Sequence, residues 1–160
     1  MTERVFAYGS NMHLADLRRW MDERGFSRGQ VLNAEPARIL DYQLVWNYFS
    51  PARQGGAANV EPAPGQELHG VALEVNGPGL SAIDQKEGHP GRYRRGPKPV
   101  EAWTYTGIPR AVWLYRVTPA FLRPAGVPPT PDYLRLLVEG GRQLGVDRAY
   151  LDRVVEGVPQ

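Results

Sequence analysis

Val5-Phe6-Ala7-Tyr8 is an unbroken apolar run near the start of the chain. A run that short, stopped by Gly9, predicts a buried strand. Gly9-Ser10-Asn11 then reads as a turn, with Asn11 as the candidate cap of a helix. Leu14, Leu17, Trp20 and Met21 recur at helical spacing, and Gly25 is a natural stop. Tyr42 to Trp46 predicts the next strand, and Ser50 to Gly56 a polar loop. Ala57-Ala58-Asn59-Val60 and Leu68 to Val75 predict two further strands, linked through Pro62, Pro64 and Gly65. The second alternates cleanly: Leu68, Gly70, Ala72 and Glu74 against His69, Val71, Leu73 and Val75. Gly77-Pro78-Gly79 breaks it, and Leu80 to Glu87 predicts a short helix ended by Gly88. Val100 to Tyr105 and Ala111 to Val117 bracket a turn at Gly107 and read as a hairpin.

Near the C-terminus, Thr130-Pro131-Asp132 combines a capping threonine, proline at the first helical position and an acidic first turn. Tyr133, Leu134, Leu137 and Val138 supply that helix's apolar face. Asp147 caps a last helix carrying Leu151, Val154 and Val155. Strands in the middle with helices at intervals place the chain in the α+β class.

Composition narrows the chemistry more than the fold. At 160 residues the length fits one domain, 1–160. Folding buries about two-thirds of the surface of a chain this long, enough for a core without cross-links. Cysteine is absent, which removes disulfides, thiol nucleophiles and thiolate metal sites. The net charge of +2 creates no strong field toward nucleic acid or membrane. There is no signal-peptide pattern and no apolar run of the ~18 residues a membrane helix needs. A soluble, cytoplasmic protein is expected. The aromatic content permits a homodimer without requiring it.

Few residues stand out as chemically active. Leu80, Ile83 and Glu87 are spaced i, i+3, i+7, so they share one helix face. A carboxylate on the face that must hold the helix to the body is partly desolvated, which raises its pKa. The negative end of the helix dipole acts in the same direction. Such a group can take and return a proton near neutral pH. Spacing alone favours the plainer reading, an exposed glutamate on a frayed helix end. Tyr8-Gly9-Ser10-Asn11 offers backbone N–H groups beyond a tight turn, suited to an anion or a developing oxyanion. It is also what an ordinary strand–turn–helix joint looks like.

Arg92-Tyr93-Arg94-Arg95 is the main basic cluster, beside Glu87 in sequence; it reads as a solvated loop or as a small-anion site rimming a pocket, toward which Tyr93 would turn its hydroxyl. It is too short for a nucleic-acid face. His13, His69 and His89 lack metal-ligand spacing and read as structural or surface residues, so no metal is expected. Trp46, Trp103 and Trp113 read as packing residues, and Trp20 lies on its helix face.

Phe6-Ala7-Tyr8-Gly9-Ser10-Asn11-Met12 resembles the opening motif of the gamma-glutamylcyclotransferase-like (AIG2-like) family. Gly55-Gly56-Ala57-Ala58-Asn59-Val60 is similar to that family's central Gly-Gly strand, and Glu67-Leu68-His69-Gly70-Val71 to its next one. Ile83-Asp84-Gln85-Lys86-Glu87-Gly88, followed by Tyr93, resembles its D-x-x-E-G…Y segment. Pro128-Pro129-Thr130-Pro131-Asp132-Tyr133 resembles its entry into the last helical region. The motifs occur in order over nearly the whole chain. Gly96-Pro97-Lys98-Pro99 departs from the pattern and suits a loop or edge, while Arg94 and Arg95 make the pocket rim more basic than usual.

The resemblance implies a small mixed β-barrel with flanking short helices and a cavity at its mouth. It also implies a reaction in which the α-amino group of a small γ-glutamyl substrate attacks its own γ-carbonyl. The products are 5-oxoproline and an amine or amino acid, and no cofactor is needed. Glu87 would be the acid/base. Tyr8, Gly9, Ser10, Asn11, Tyr93 and Tyr133 would bind substrate. Asn11-Met12 looks more like the branch acting on dipeptides than the glutathione-specific one. The alternative is a catalytically silent relative that binds a small anion or a protein partner through the basic rim.

Overall fold

A computed structural model of the chain describes residues 1–124 and 126–160. Its main sheet has five antiparallel strands in the order β1 (Thr2–Ala7), β5 (Asn59–Asn76), β2 (Val31–Val45), β7 (Val100–Thr104) and β8 (Pro109–Val112). Two small ribbons complete the strands. One pairs β3 (Phe49–Ser50) with β4 (Gly55–Gly56), the other β6 (Tyr93–Arg94) with β9 (Arg116–Val117). Four helices flank them: α1 (Leu14–Glu23), α2 (Gly77–Glu87), α3 (Pro131–Gln143) and α4 (Arg148–Glu156). None is long and apolar enough to cross a membrane among the described residues.

The α+β class is as expected; the barrel is not. The edges of the five-stranded sheet meet at one parallel bridge, Val5 to Trp113. Phe6 N donates to Trp113 O at 2.9 Å, and Trp113 N donates to Arg4 O at 2.8 Å. A single bridge touches the edges without joining them into a ladder, so the sheet stays open. The strand expected over 111–117 is split by this contact. Val112 ends β8, Trp113 bridges to β1, and Arg116–Val117 leaves to pair with β6.

The two strands expected on either side of Pro62, Pro64 and Gly65 are one continuous β5. Its first half pairs with β2 alone, because β1 covers only Val71 to Asn76. A proline is tolerated there because no strand is waiting for its missing N–H on the open side. The partner strand β2 is three times the length of the Tyr42–Trp46 run that announces it. Only Ala37 and Ile39 in its first part are fully buried, and a bulge at Asp41 shifts the register. Neither period 2 nor an apolar run marks such a stretch.

Capping also differs from expectation in ways that matter for the site. Residues Ser10–Met12 form a single 3₁₀ turn, and His13 rather than Asn11 caps α1, accepting from Asp16 N at 3.2 Å. The Asn11 side chain is thereby free for other work. Helix α2 starts at Gly77, not Leu80: Asn76 caps it by accepting from Gly79 N at 2.8 Å, and Pro78 occupies the first turn, which needs no N–H. It ends on Gly88 at φ 68°, with His89 N returning to Asp84 O at 2.9 Å. Helix α3 is capped by Thr130 as expected, and Leu136 joins its buried face.

Helix α3 presses directly on the 3₁₀ turn. A Cβ added to Gly140 would stand 2.5 Å from His13 N and from Met12 C, and 2.7 Å from Met12 O. Gly→Ala inside an ordinary helix gains about 1 kcal/mol. Here the contact is with backbone, so we expect the opposite sign. Gly140→Ala should destabilise the protein by about 1–3 kcal/mol through overpacking, as read by urea unfolding. A stabilised variant would show that α3 can move off the turn.

Candidate active site

The strand β1 ends as Tyr8 enters the open end of the fold, and the Gly9–Asn11 turn lies across it. Opposite is the C-terminal end of α2. Between them is a cleft of about 600 Å³, bordered by Tyr8, Gly9, Ser10, Asn11, Glu87, Tyr93 and Tyr133. All seven positions singled out from the sequence therefore share one cavity, although they come from four separate stretches of chain.

Glu87 sits on the last turn of α2, half-buried. Leu80 and the fully buried Ile83 hold the same helix face against the core. The carboxylate accepts from Asn11 Nδ2 at 2.7 Å. On the other side of the same carboxamide, Asn11 Oδ1 accepts from Lys86 Nζ. An amide with a cation on its oxygen and a carboxylate on its nitrogen has only one workable orientation. Burial pushes the Glu87 carboxyl above the usual glutamate range, while Lys86, the Asn11 amide and Arg53 work against that rise. Burial lowers the Lys86 ammonium, and the Glu87 charge opposes the fall.

The turn itself is shaped by Tyr133. Its hydroxyl accepts from Ala58 N at 3.0 Å and lies where a Cβ on Gly9 would be, 2.6 Å away. Any side chain at residue 9 would collide with it. Among the described residues, the backbone N–H groups of Gly9 and Asn11 have no acceptor, which leaves both donors at the border of the cleft. The other two tyrosines are braced on backbone. Tyr8 donates to Tyr115 O at 2.6 Å and Tyr93 to Ala58 O at 2.7 Å. The Tyr93 ring walls the cleft as expected, but its hydroxyl proton is held by the main chain rather than offered to a ligand. Burial holds the Tyr8 and Tyr93 phenols well above the usual range, so both stay neutral.

The expected basic rim is in the wrong place. Arg92 does border the cleft, donating to Tyr48 Oη at 3.3 Å and stacking 4.4 Å from the Phe121 ring centroid. Arg94 is exposed and does not border it. Arg95 turns away to pair with Asp84 at 2.9 Å and to cover Trp113 at 4.4 Å from the ring centroid. The positive charge close to the Gly9–Asn11 turn comes from Lys86 and Arg53 instead. Arg53 Nη2 donates to Ser10 Oγ and to Asp16 Oδ2, each at 3.2 Å. Asp16 is buried and is also held by Arg19 at 2.7 Å. Burial alone would raise the Asp16 carboxyl, but Lys86, Arg53 and Arg19 outweigh it and hold it below the usual range.

Lys86, Arg53 and Asp16 carried no sign of a site in the sequence. Lys86 is one position off the apolar face of α2, Arg53 lies in a polar loop, and Asp16 precedes Leu17 on an amphipathic helix. Adjacency to Glu87 was the one available hint for Lys86. His13 and His69 are structural as expected: one caps α1, the other packs at a tilt with its ring centroid 4.7 Å from that of Tyr150. Among the described residues no group of three or more His, Asp or Glu side chains is placed to hold a metal ion.

Comparison with known proteins gives matches over most of the chain. Residues 5–135 match the family described as gamma-glutamyl cyclotransferase, AIG2-like. The chain is 29% identical over 151 residues to a gamma-glutamylcyclotransferase of Bos taurus, spanning 91% of this chain and 73% of that protein. It is 26% identical over 160 residues to the gamma-glutamylcyclotransferase of Mus musculus, spanning 93% and 75%. Among solved structures, a gamma-glutamyl cyclotransferase superposes with a TM-score of 0.81 at 22% identity, over 99% of this chain and 89% of the other. A yeast gamma-glutamyl cyclotransferase specific to glutathione superposes with a TM-score of 0.63 at 15% identity, over 97% and 94%. At these identities the structural likeness speaks for the fold alone.

The Lys86–Asn11–Glu87 arrangement makes a measurable statement about charge. A cation near a carboxylate favours its ionised form. Replacing Lys86 by Met should therefore move the Glu87 titration further upward, observed by carboxyl-carbon NMR across pH. An unmoved or lowered titration would show that the lysine does not act on that carboxylate.

Proposed function

The chain belongs to the gamma-glutamyl cyclotransferase, AIG2-like family, and we propose that it converts a γ-glutamyl compound into 5-oxoproline and a free amine, with Glu87 as general acid/base. The observation that carries this reading is the placement of the Glu87 carboxylate. It lies in the cleft, 2.7 Å from Asn11 Nδ2, beside a turn with unengaged backbone donors.

The chemistry asks for a group that can both take and give a proton. At neutral pH the substrate's α-amino group is an ammonium and has no lone pair to attack with. Glu87, ionised, takes a proton from it. The freed nitrogen then forms a bond to the γ-carbonyl carbon, closing a five-membered ring, and the π electrons of the carbonyl move onto its oxygen. The N–H groups of Gly9 and Asn11 receive that oxyanion. As the carbonyl reforms, the bond to the leaving nitrogen breaks, and Glu87 returns a proton there. The ring nitrogen loses its second proton to solvent, and the released amine takes one up. A carboxyl raised by burial suits both halves, because its proton affinity lies closer to working pH. Nucleophile and electrophile belong to one molecule, so holding it folded supplies much of the acceleration.

The test is 5-oxoproline release from a panel of γ-glutamyl amino acids and γ-glutamylamines. Glu87→Gln keeps the size and the hydrogen bond but cannot exchange a proton; its kcat should fall by about 10²-fold or more. Turnover equal to wild type would remove Glu87 from the mechanism. Wild-type binding of 5-oxoproline with no turnover of any substrate would favour the silent, anion-binding reading. The pH profile supplies an independent check. Glu87 must be ionised to act as the base, and burial raises its pKa. Activity should therefore rise with pH through a limb above the ~4.3 of an ordinary glutamate, and kcat/KM reports it for the free enzyme. A limb at or below that value would contradict the assignment.

A further inference from the structure

Arg53 is a guanidinium with two of its five N–H donors engaged. Nη2 alone makes both protein contacts, to Ser10 Oγ and to Asp16 Oδ2. Among the described residues, Nε and Nη1 have no acceptor, and the side chain borders the cleft while being only a quarter exposed. It is braced rather than loose. Asp16 is nine-tenths buried, fixes Arg53 from behind and is itself pinned by Arg19. The face of Tyr133 lies 5.8 Å from the guanidinium carbon. Ser10, also nine-tenths buried, accepts from Arg53 and so keeps its own hydroxyl proton to donate.

A guanidinium and a hydroxyl held side by side, next to the turn that faces Glu87, suit a planar anion. We propose that Arg53, with the Ser10 hydroxyl, anchors a carboxylate of the substrate, and that this is the α-carboxylate of its glutamyl end. The assignment rests on the γ-glutamyl cyclisation reading. The α-carbon carries both the attacking nitrogen and this carboxylate. A carboxylate tied to Ser10 therefore delivers the amine to the same turn, where Asn11 holds Glu87. Asp16 is a positioning residue: it touches Arg53 and Arg19, and acts on substrate only through Arg53. The division of labour also separates charges. The carboxylate meets a fixed cation, and the oxyanion meets backbone N–H groups.

Two chemical comparisons test the proposal, one by binding and one by turnover. 5-Oxoproline and pyrrolidin-2-one are the same ring with and without the carboxylate. Wild type should bind 5-oxoproline more tightly by calorimetry. In Arg53→Met that preference should shrink by about 10- to 100-fold, the usual scale for a charge-assisted hydrogen bond. Arg53→Lys should keep part of it, because the charge remains and the planar fork is lost. Asp16→Asn should reduce it in the same direction by less. Wild type that binds both rings equally, or neither, overturns the anchor.

For turnover, a γ-glutamyl-alkylamine carries only the α-carboxylate, and 4-aminobutyryl-glycine carries only one on the leaving group. The wild-type ratio of kcat/KM between them should collapse in Arg53→Met through the first substrate. An unchanged ratio makes Arg53 structural only, and a ratio that shifts the other way places the leaving-group carboxylate there; either overturns the proposal. Wild type that releases neither lactam defeats the cyclisation reading, while the two-ring binding comparison still decides the fate of Arg53. Thermal midpoints of all variants separate loss of the anchor from loss of the fold.

Discussion

The candidate site depends on one carboxamide. Asn11 donates to Glu87 and accepts from Lys86, and in doing so ties the turn after β1 to the end of α2. These segments are 75 or more residues apart in sequence. A glutamate and a lysine at adjacent positions of one helix do not face each other. The amide between them lets the two charges share one hydrogen-bonded chain without direct contact. It also settles which groups face the cleft. The carboxylate keeps lone pairs beyond the one that Asn11 engages, and the lysine charge opposes the upward push that burial gives the carboxyl.

Charge balance extends the same logic outward. Burying carboxylates is costly unless they are paired and hydrogen-bonded. Glu87 is compensated through Asn11 and Lys86, and Asp16 directly through Arg53 and Arg19. The result is a cleft wall with fixed charges in fixed places. Aromatic side chains make the rest of the wall, and most spend their hydroxyls on backbone. Tyr8 and Tyr93 bind carbonyl oxygens, and Tyr133 receives Ala58 N while filling the space that Gly9 leaves. Such contacts hold the cavity open and rigid without adding competing acids.

Much of this architecture could be read before any coordinates. The β1 run, the α1 and α3 periodicities, the Thr130 and Asp147 caps and the placement of Glu87 on the buried face of α2 all stand. They stand because each rests on neighbours within a turn or two of chain, where periodicity and capping are decided. The first half of β2 and the continuity of β5 were hidden. Those stretches are held by long pairing with each other, and their side chains are largely exposed. Arg95 was misplaced for a related reason: its partner, Asp84, lies 11 residues away across a turn, and nothing in a run of basic residues tells which of them will find an acid.

By itself, then, the sequence determined the α+β class, the absence of thiol chemistry and the helix face on which Glu87 lies, since composition and local spacing are properties of the chain alone. The tertiary structure decided what surrounds that residue. It released Asn11 from helix capping, brought Lys86 and Arg53 to the turn, turned Arg95 to Asp84 and Trp113 and left the sheet open at a single bridge. Apart from the His13 cap and the Arg95–Asp84 pair, these are contacts between segments distant in sequence. Their existence depends on how strands and helices pack, and no periodicity along the chain encodes it.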